Sequence, residues 1–338
     1  MKKIILLSAI FFLFVIAISF IGCTTHRSPM AVENPISTPT PTPKSTETCN
    51  YSRTAFWGTG ERCTSVNDPG IFLTPCGMAI DSSGNLYTTD IGNNRIVKYD
   101  PNGTQLAAWG SGGVNCSDHG SGDGQFHNPY GIAIDGIGYI YVLDTMNKRV
   151  QKFDSSFKYI LQWPLGDGYN NGIAVDVSGN VYTVNITTNK IKKFDQYGNF
   201  TLEWGAYGTG NGEFKSPSMI AVNKSGTFIY VSDTGNGRVQ KFDFNGKYLT
   251  QWNDFISPNA VPPFTFPITS SPFGIAVDSY GDVYVCDSSN LKIKKYDENG
   301  NYLNEWATEI NAWGIAVDNN GTVYASGYAS RFEKYTCQ

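Results

Sequence analysis

Apolar residues along most of this chain fall in short runs of four to six, not at helical spacing. The stretch "GIAVDSYGDVYVCDSSNLKIKKYDENGNYLNEW", Gly274 to Trp306, holds four of them: "GIAVD", "DVYVCD", "KIKKYD" and "YLNEW". Each is rich in β-branched and aromatic residues, and Asp-x-x-Gly or Asp-x-x-Asn segments separate them, which is the composition of strands joined by tight turns. The same module starts again at Pro75, Pro129, Asn171, Pro217, Pro272 and Ala312. Gly77, Gly131, Gly172, Met219, Gly274 and Gly314 occupy one position of it, at intervals of 40 to 55 residues.

A unit of four antiparallel strands that cannot bury its faces alone, repeated six times, predicts an all-β fold, a six-bladed β-propeller. The last copy, "GIAVDNNGTVYASGYASRFEKYTCQ", supplies only three strands and would leave an open sheet edge. Trp residues locate the fourth. Trp109, Trp163, Trp204, Trp252 and Trp306 each end an outer strand, and Trp57 in "CNYSRTAFWG" is the sixth of the set without three strands before it. The N-terminal strand is therefore expected to close the ring against "RFEKYT". Aligning Trp57 with Trp109 and Arg331 with Arg95 places Cys49 and Cys337 together at the turn held by Pro101 in the first copy. A disulfide is expected there. Cys63 and Cys116, which lie similar distances after a blade-ending Trp, form a second candidate pair.

With the repeat in view, Cys49 to Gln338 resembles the NHL-repeat family, whose blades read "PxGIAVDxxGxVYVxDxxNxRVQKFDxxG". The resemblance implies a six-bladed propeller. It implies no single activity, because this fold carries sensors, scaffolds and enzymes alike.

The N-terminal 48 residues follow another pattern. Lys2 and Lys3 precede the apolar run Ile4 to Ile21, and the "SFIGC" that ends it resembles a bacterial-type lipobox. We read residues 1–22 as a signal peptide and Cys23 as the lipidated first residue of the mature chain, an uncleaved anchor or simple secretion being the alternatives. Residues 23–48, rich in Thr, Pro and Ser, form an extended linker, and residues 49–338 form the propeller. The domain is thus expected outside the cytoplasm, tied to a membrane through an N-terminal lipid or anchor, where a disulfide persists. The formal net charge of −4 becomes −6 when Lys2 and Lys3 are removed, which argues against a nucleic-acid partner.

Candidate chemistry is sparse. The Asp-x-x-Asn-x-Arg sets (Asp90, Asn93, Arg95; Asp144, Asn147, Arg149; Asp233, Asn236, Arg238) suggest a ring of carboxylates, yet the basic residue at fixed spacing fits an internal charge-assisted bond. His119 and His127 share a loop with Cys116, Asp118 and Asp123, a set with metal-ligand chemistry. Its echo "GTGNGEFKSP" carries Lys215 in place of His127, which points to a structural loop, and no metal or cofactor is expected. Function is sought where the repeat symmetry breaks. The residue that enters each inner strand is Cys76, Tyr130, Asn171, Ser218, Phe273 and Trp313 in turn. Tyr130, Phe273 and Trp313, with Asn171 beside them and Phe255, Phe264 and Phe266 of the longest connector, form the expected rim of a ligand site or else a plug in the channel. The expected function is a surface-anchored module that binds a peptide, protein or glycan on one propeller face. The alternative is a metal-dependent lyase or lactonase, resembling other six-bladed propellers.

Overall fold

In a computed structural model the six sequence copies fold as six four-stranded antiparallel sheets, the blades of a propeller. Residues 49–58, 72–110, 119–255, 271–327 and 330–338 are described. The signal peptide, Cys23, the linker, Cys63, Cys116, Phe264 and Phe266 lie outside them.

The first blade shows the plan: inner strand Pro75–Ile80, then Leu86–Asp90, Arg95–Tyr99 and outer strand Gln105–Gly110. Second strands are buried along their whole length, as in Leu86–Asp90, Val181–Asn185 and Val283–Asp287, because both faces pack on neighbouring blades. Outer strands such as Tyr248–Trp252 alternate between half-buried and exposed positions, because one face meets solvent. The sixth blade has Ala312–Val317, Val323–Gly327 and Arg331–Cys337 from the C-terminus, and Tyr51–Trp57 from the N-terminus completes it. The pairing runs from Tyr51 opposite Cys337 to Trp57 opposite Phe332. A Cys49–Cys337 disulfide joins the strand ends across 288 residues of sequence, with the Cα atoms 5.4 Å apart.

The blade-ending Trp residues act between blades. Trp57, Trp163, Trp204 and Trp252 each lie on the turn between the third and outer strands of the next blade, where a glycine leaves room for the indole, and Trp306 stacks instead on Tyr51 of the closing strand. A Cβ on Gly103 would meet Trp57 at 1.7 Å, and one on Gly300 would meet Trp252 at 2.5 Å. The second blade departs from this rule. Phe157 stands at the glycine position, with φ of 64°, and stacks on Trp109 with ring centroids 4.1 Å apart.

Hydroxyl groups stitch the inner ends together. Thr89 donates to Tyr130 O at 2.9 Å, Thr145 to Asn170 O at 2.8 Å, Thr234 to Pro272 O at 2.7 Å and Ser326 to Cys76 O at 2.8 Å. Ser288 donates to Ala312 O in the same way. These bonds satisfy carbonyls at the crowded axis that no strand ladder reaches.

Candidate functional site

The six inner strands run in one direction along the axis and enclose a channel of about 220 Å³. Its wall is built from "GIAV"-type segments, for example Ile132, Ile173, Ile220 and Ile275, whose side chains are nearly buried, so main-chain polar groups make up much of the surface that faces the channel. At the end where these strands begin, the entry residues form a ring with two unlike arcs.

The aromatic arc spans the fifth, sixth, first and second blades. Phe273 and Trp313 stack, with centroids 5.8 Å apart and planes 27° apart. Both are half-buried and, with Tyr130, pack against a cluster that includes Cys76, Met219, Ile91 and Ile275. Tyr130 and Cys76 face each other across neighbouring blades. Burial pushes the Cys76 thiol far above its ordinary range, with the Tyr130 hydroxyl pulling slightly the other way. Burial raises Tyr130 as well, and the adjacent sulfur adds to that. Both groups are neutral at physiological pH, so Cys76 is a packed thiol and not a thiolate nucleophile. Cys286, the other free cysteine among the described residues, is likewise pushed up by burial.

The other arc is polar and built from the third and fourth blades. Asn171 is buried at the entry of its strand. Beside it Asn170, 1% exposed, stands where most copies have Pro, and neither its amide nitrogen nor its amide oxygen has a hydrogen-bond partner. Ser218 shares a 2.7 Å hydrogen bond with Thr234 and donates to Phe273 O at 3.3 Å. The mouth thus offers stacked rings on one side and amide and hydroxyl groups on the other.

Tyr130, Asn171, Phe273 and Trp313 therefore share one mouth. Phe255 does not belong there. It is 2% exposed and packs on Tyr296 of the fifth blade at 5.9 Å, with Lys294 Nζ 5.2 Å from its ring. That is the position of the connector anchors Phe72 on Tyr99, Phe126 on Phe153 and Phe214 on Phe242. The long connector hides this equivalence of Phe255 in the sequence.

The repeated carboxylates are structural. Asp144 Oδ2 accepts from Arg149 Nε at 2.7 Å, from Asn147 at 2.9 Å and from Gln151 at 3.1 Å, while Oδ1 takes the main-chain N–H of His127 at 2.7 Å. Asp233 and Asp90 repeat the arrangement with Arg238 at 2.7 Å and Arg95 at 2.9 Å. Each arginine of the second and fourth blades also clamps connector carbonyls, Arg149 those of Ser121, Gly122 and Gln125. His119 and His127 stack at 3.9 Å, and the companions Cys116 and Asp118 lie outside the described residues. Among the described residues no group of three His, Cys, Asp or Glu side chains has metal-binding geometry.

Comparison with known proteins agrees with this architecture. Residues 211–317 match the family model of the SMP-30/Gluconolactonase/LRE-like region. NHL repeat-containing protein 3 of Mus musculus is 33% identical over 98 residues, 28% of this chain and 26% of its own length. The match thus spans about a quarter of the curated relative. At the level of fold, a gluconolactonase from Xanthomonas campestris superposes with a TM-score of 0.59 at 13% identity, over 79% of this chain and 87% of its own. Virginiamycin B lyase from Staphylococcus aureus does so at 0.55 and 13% identity, over 85% and 99%.

Proposed function

The chain is an NHL-repeat six-bladed propeller, and we propose that it is a surface-anchored binding module whose ligand is a peptide, protein or glycan seated on the mouth of the central channel. The arc of Tyr130, Phe273 and Trp313 carries the reading. Half-buried rings provide contact area at small entropic cost. In this reading the disulfide-closed domain works outside the cytoplasm, and lipid on Cys23 or the uncleaved apolar segment holds it to the membrane.

The test is binding of the full chain to glycan and peptide arrays, with hits repeated by calorimetry. Trp313→Ala is expected to weaken a hit by about 30-fold, the loss of one interface anchor. Binding unchanged in the Tyr130→Ala, Phe273→Ala, Trp313→Ala triple variant would sink the proposal.

A second reading, a metal-dependent lyase or lactonase, draws on the name of the family model matched by residues 211–317 and on those of the fold neighbours. Plasma mass spectrometry of protein purified without a metal-affinity tag separates the two. One equivalent of zinc, calcium or iron would favour the enzyme.

A further inference from the structure

At the end of the propeller opposite the mouth, every blade carries a lysine on its third strand lying over a tyrosine of its second strand. The pairs are Lys98 with Tyr87, Lys152 with Tyr141, Lys193 with Tyr182, Lys241 with Tyr230, Lys295 with Tyr284 and Lys334 with Tyr324, with Nζ 4.8 to 5.7 Å from the ring centroid. In four seams the ammonium reaches across to the next blade. It donates to the carbonyl of the second residue of the turn between third and outer strands: Lys152 to Gln196 O at 3.1 Å, Lys193 to Phe244 O at 3.2 Å, Lys241 to Glu298 O at 2.7 Å and Lys334 to Pro101 O at 2.9 Å. The fold thus fills one and the same position four times with a peptide carbonyl.

The seam between the first and second blades is built differently. The corresponding turn residue is Ser155, in the turn where Phe157 replaces glycine and stacks on Trp109. Lys98 instead turns back to Asp81 of its own blade, 3.2 Å away. Between them lies a pocket of about 340 Å³, lined by Asp81, Ser82, Lys98, Ile134, Ile137 and Ser155 among others. This volume lies within the range of small-ligand sites.

We infer that this pocket binds a peptide carboxylate or carbonyl through Lys98, in place of the turn carbonyl that closes the other seams. Lys98 can exchange its ion pair with Asp81 for this bond, because the Asp81 carboxylate keeps other donors when the lysine turns away. The carboxylate already accepts from the main-chain N–H groups of Ser83 at 3.0 Å and Asn85 at 2.9 Å, from the Asn85 amide at 2.9 Å and from the Tyr87 hydroxyl at 3.3 Å. The serines supply hydroxyl groups around the ligand, and Ile137, 81% exposed, forms an apolar lip for its side chain. The fifth seam also lacks a turn carbonyl for its lysine, but there Lys295 pairs with Asp282 at 3.0 Å, and the Tyr51 hydroxyl bonds that of Tyr284 at 3.2 Å.

The experiment titrates the full chain with N-acetyl-alanyl-alanine and, separately, with its C-terminal amide, and reads saturation transfer to the probe methyl groups by NMR. Binding of the acid alone identifies a chain terminus as the natural ligand class, and binding of both identifies an internal carbonyl of a partner's turn or strand. Lys98→Met, which keeps the stem and removes the charge, is expected to lower affinity roughly tenfold or more. Lys98→Arg is expected to retain it, and Lys241→Met, in a closed seam, to leave it unchanged. Ile137→Glu, at an exposed site that does not disturb folding, supplies a competing carboxylate at the lip and is expected to weaken binding too. Saturation transfer from neither probe, or equal affinity in Lys98→Met and Ile137→Glu, would overturn the inference. Because the mouth lies at the other end, the Trp313→Ala chain should bind these probes normally, so the two proposals fail independently.

Discussion

Replacing Cys49 and Cys337 together by serine tests how the ring is held shut. The bridge closes a loop of 288 residues, and the chain-entropy relation gives about 5 to 6 kcal/mol for a loop of that length. This is a ceiling, because a compact denatured chain already loses part of that entropy. Non-covalent contacts of the closing strand remain: Tyr51 stacks on Trp306 at 4.0 Å, Trp57 packs on Phe332 at 4.9 Å, and Arg53 lies 3.2 Å from the buried Glu333. The double variant should therefore still fold, with a thermal midpoint lowered by on the order of 10 °C. Calorimetry of the variant beside the oxidised parent provides the measurement. Using the double variant, and not a reductant alone, keeps Cys63 and Cys116 out of the comparison. A midpoint within about 2 °C of the parent, roughly 1 kcal/mol, would show that loop entropy is not what the bridge contributes and would refute the reasoning.

Two further outcomes are expected from the clamps and the histidine pair. Arg238→Ala should cost about 3 to 5 kcal/mol in denaturant unfolding, because Asp233 would remain as a buried, unpaired charge while the connector carbonyls of Thr209, Gly210 and Glu213 lose their donor. Burial, reinforced by the charge of neighbouring His119 and opposed by Asp144, holds the His127 imidazole below its ordinary value. The associated stability is present above the unfolded imidazole pKa of about 6.5 and is lost as pH falls through the depressed folded value. Thermal midpoints measured from neutral pH downward should fall more in the parent than in His127→Lys, the residue found at the echoing Lys215. Parallel profiles would count against this assignment.

Much of the fold was legible because the blade is a local code. Alternation, Asp-x-x-Gly turns and the blade-ending Trp residues are all short-range signals, and their sixfold repetition suppresses chance matches. Alignment of Trp57 with its five counterparts was enough to place the closing strand, and the same alignment brought Cys49 to Cys337. The Asp-x-x-Asn-x-Arg sets were readable for the same reason, since Asp144 and Arg149 meet across a single turn. The entry residues could be listed from the repeat, which explains why Tyr130, Phe273 and Trp313 could be named together. Phe255 was misassigned because the long connector after Trp252 carries no register, and only its packing on Tyr296 distinguishes an anchor from a rim.

What the sequence by itself determined is the unit and its number: four strands, six times, with a borrowed strand to close the ring. These follow from backbone and turn preferences that act within a few residues. What only the tertiary structure decided lies in the seams, where residues far apart in sequence meet. The pairing of Tyr130 with Cys76, the unpartnered Asn170 amide and the return of Lys98 to Asp81 depend on how one blade leans on the next. Single positions shape these seams, such as Phe157 where the other turns keep glycine, and their contacts exist only when the neighbouring blade is in place.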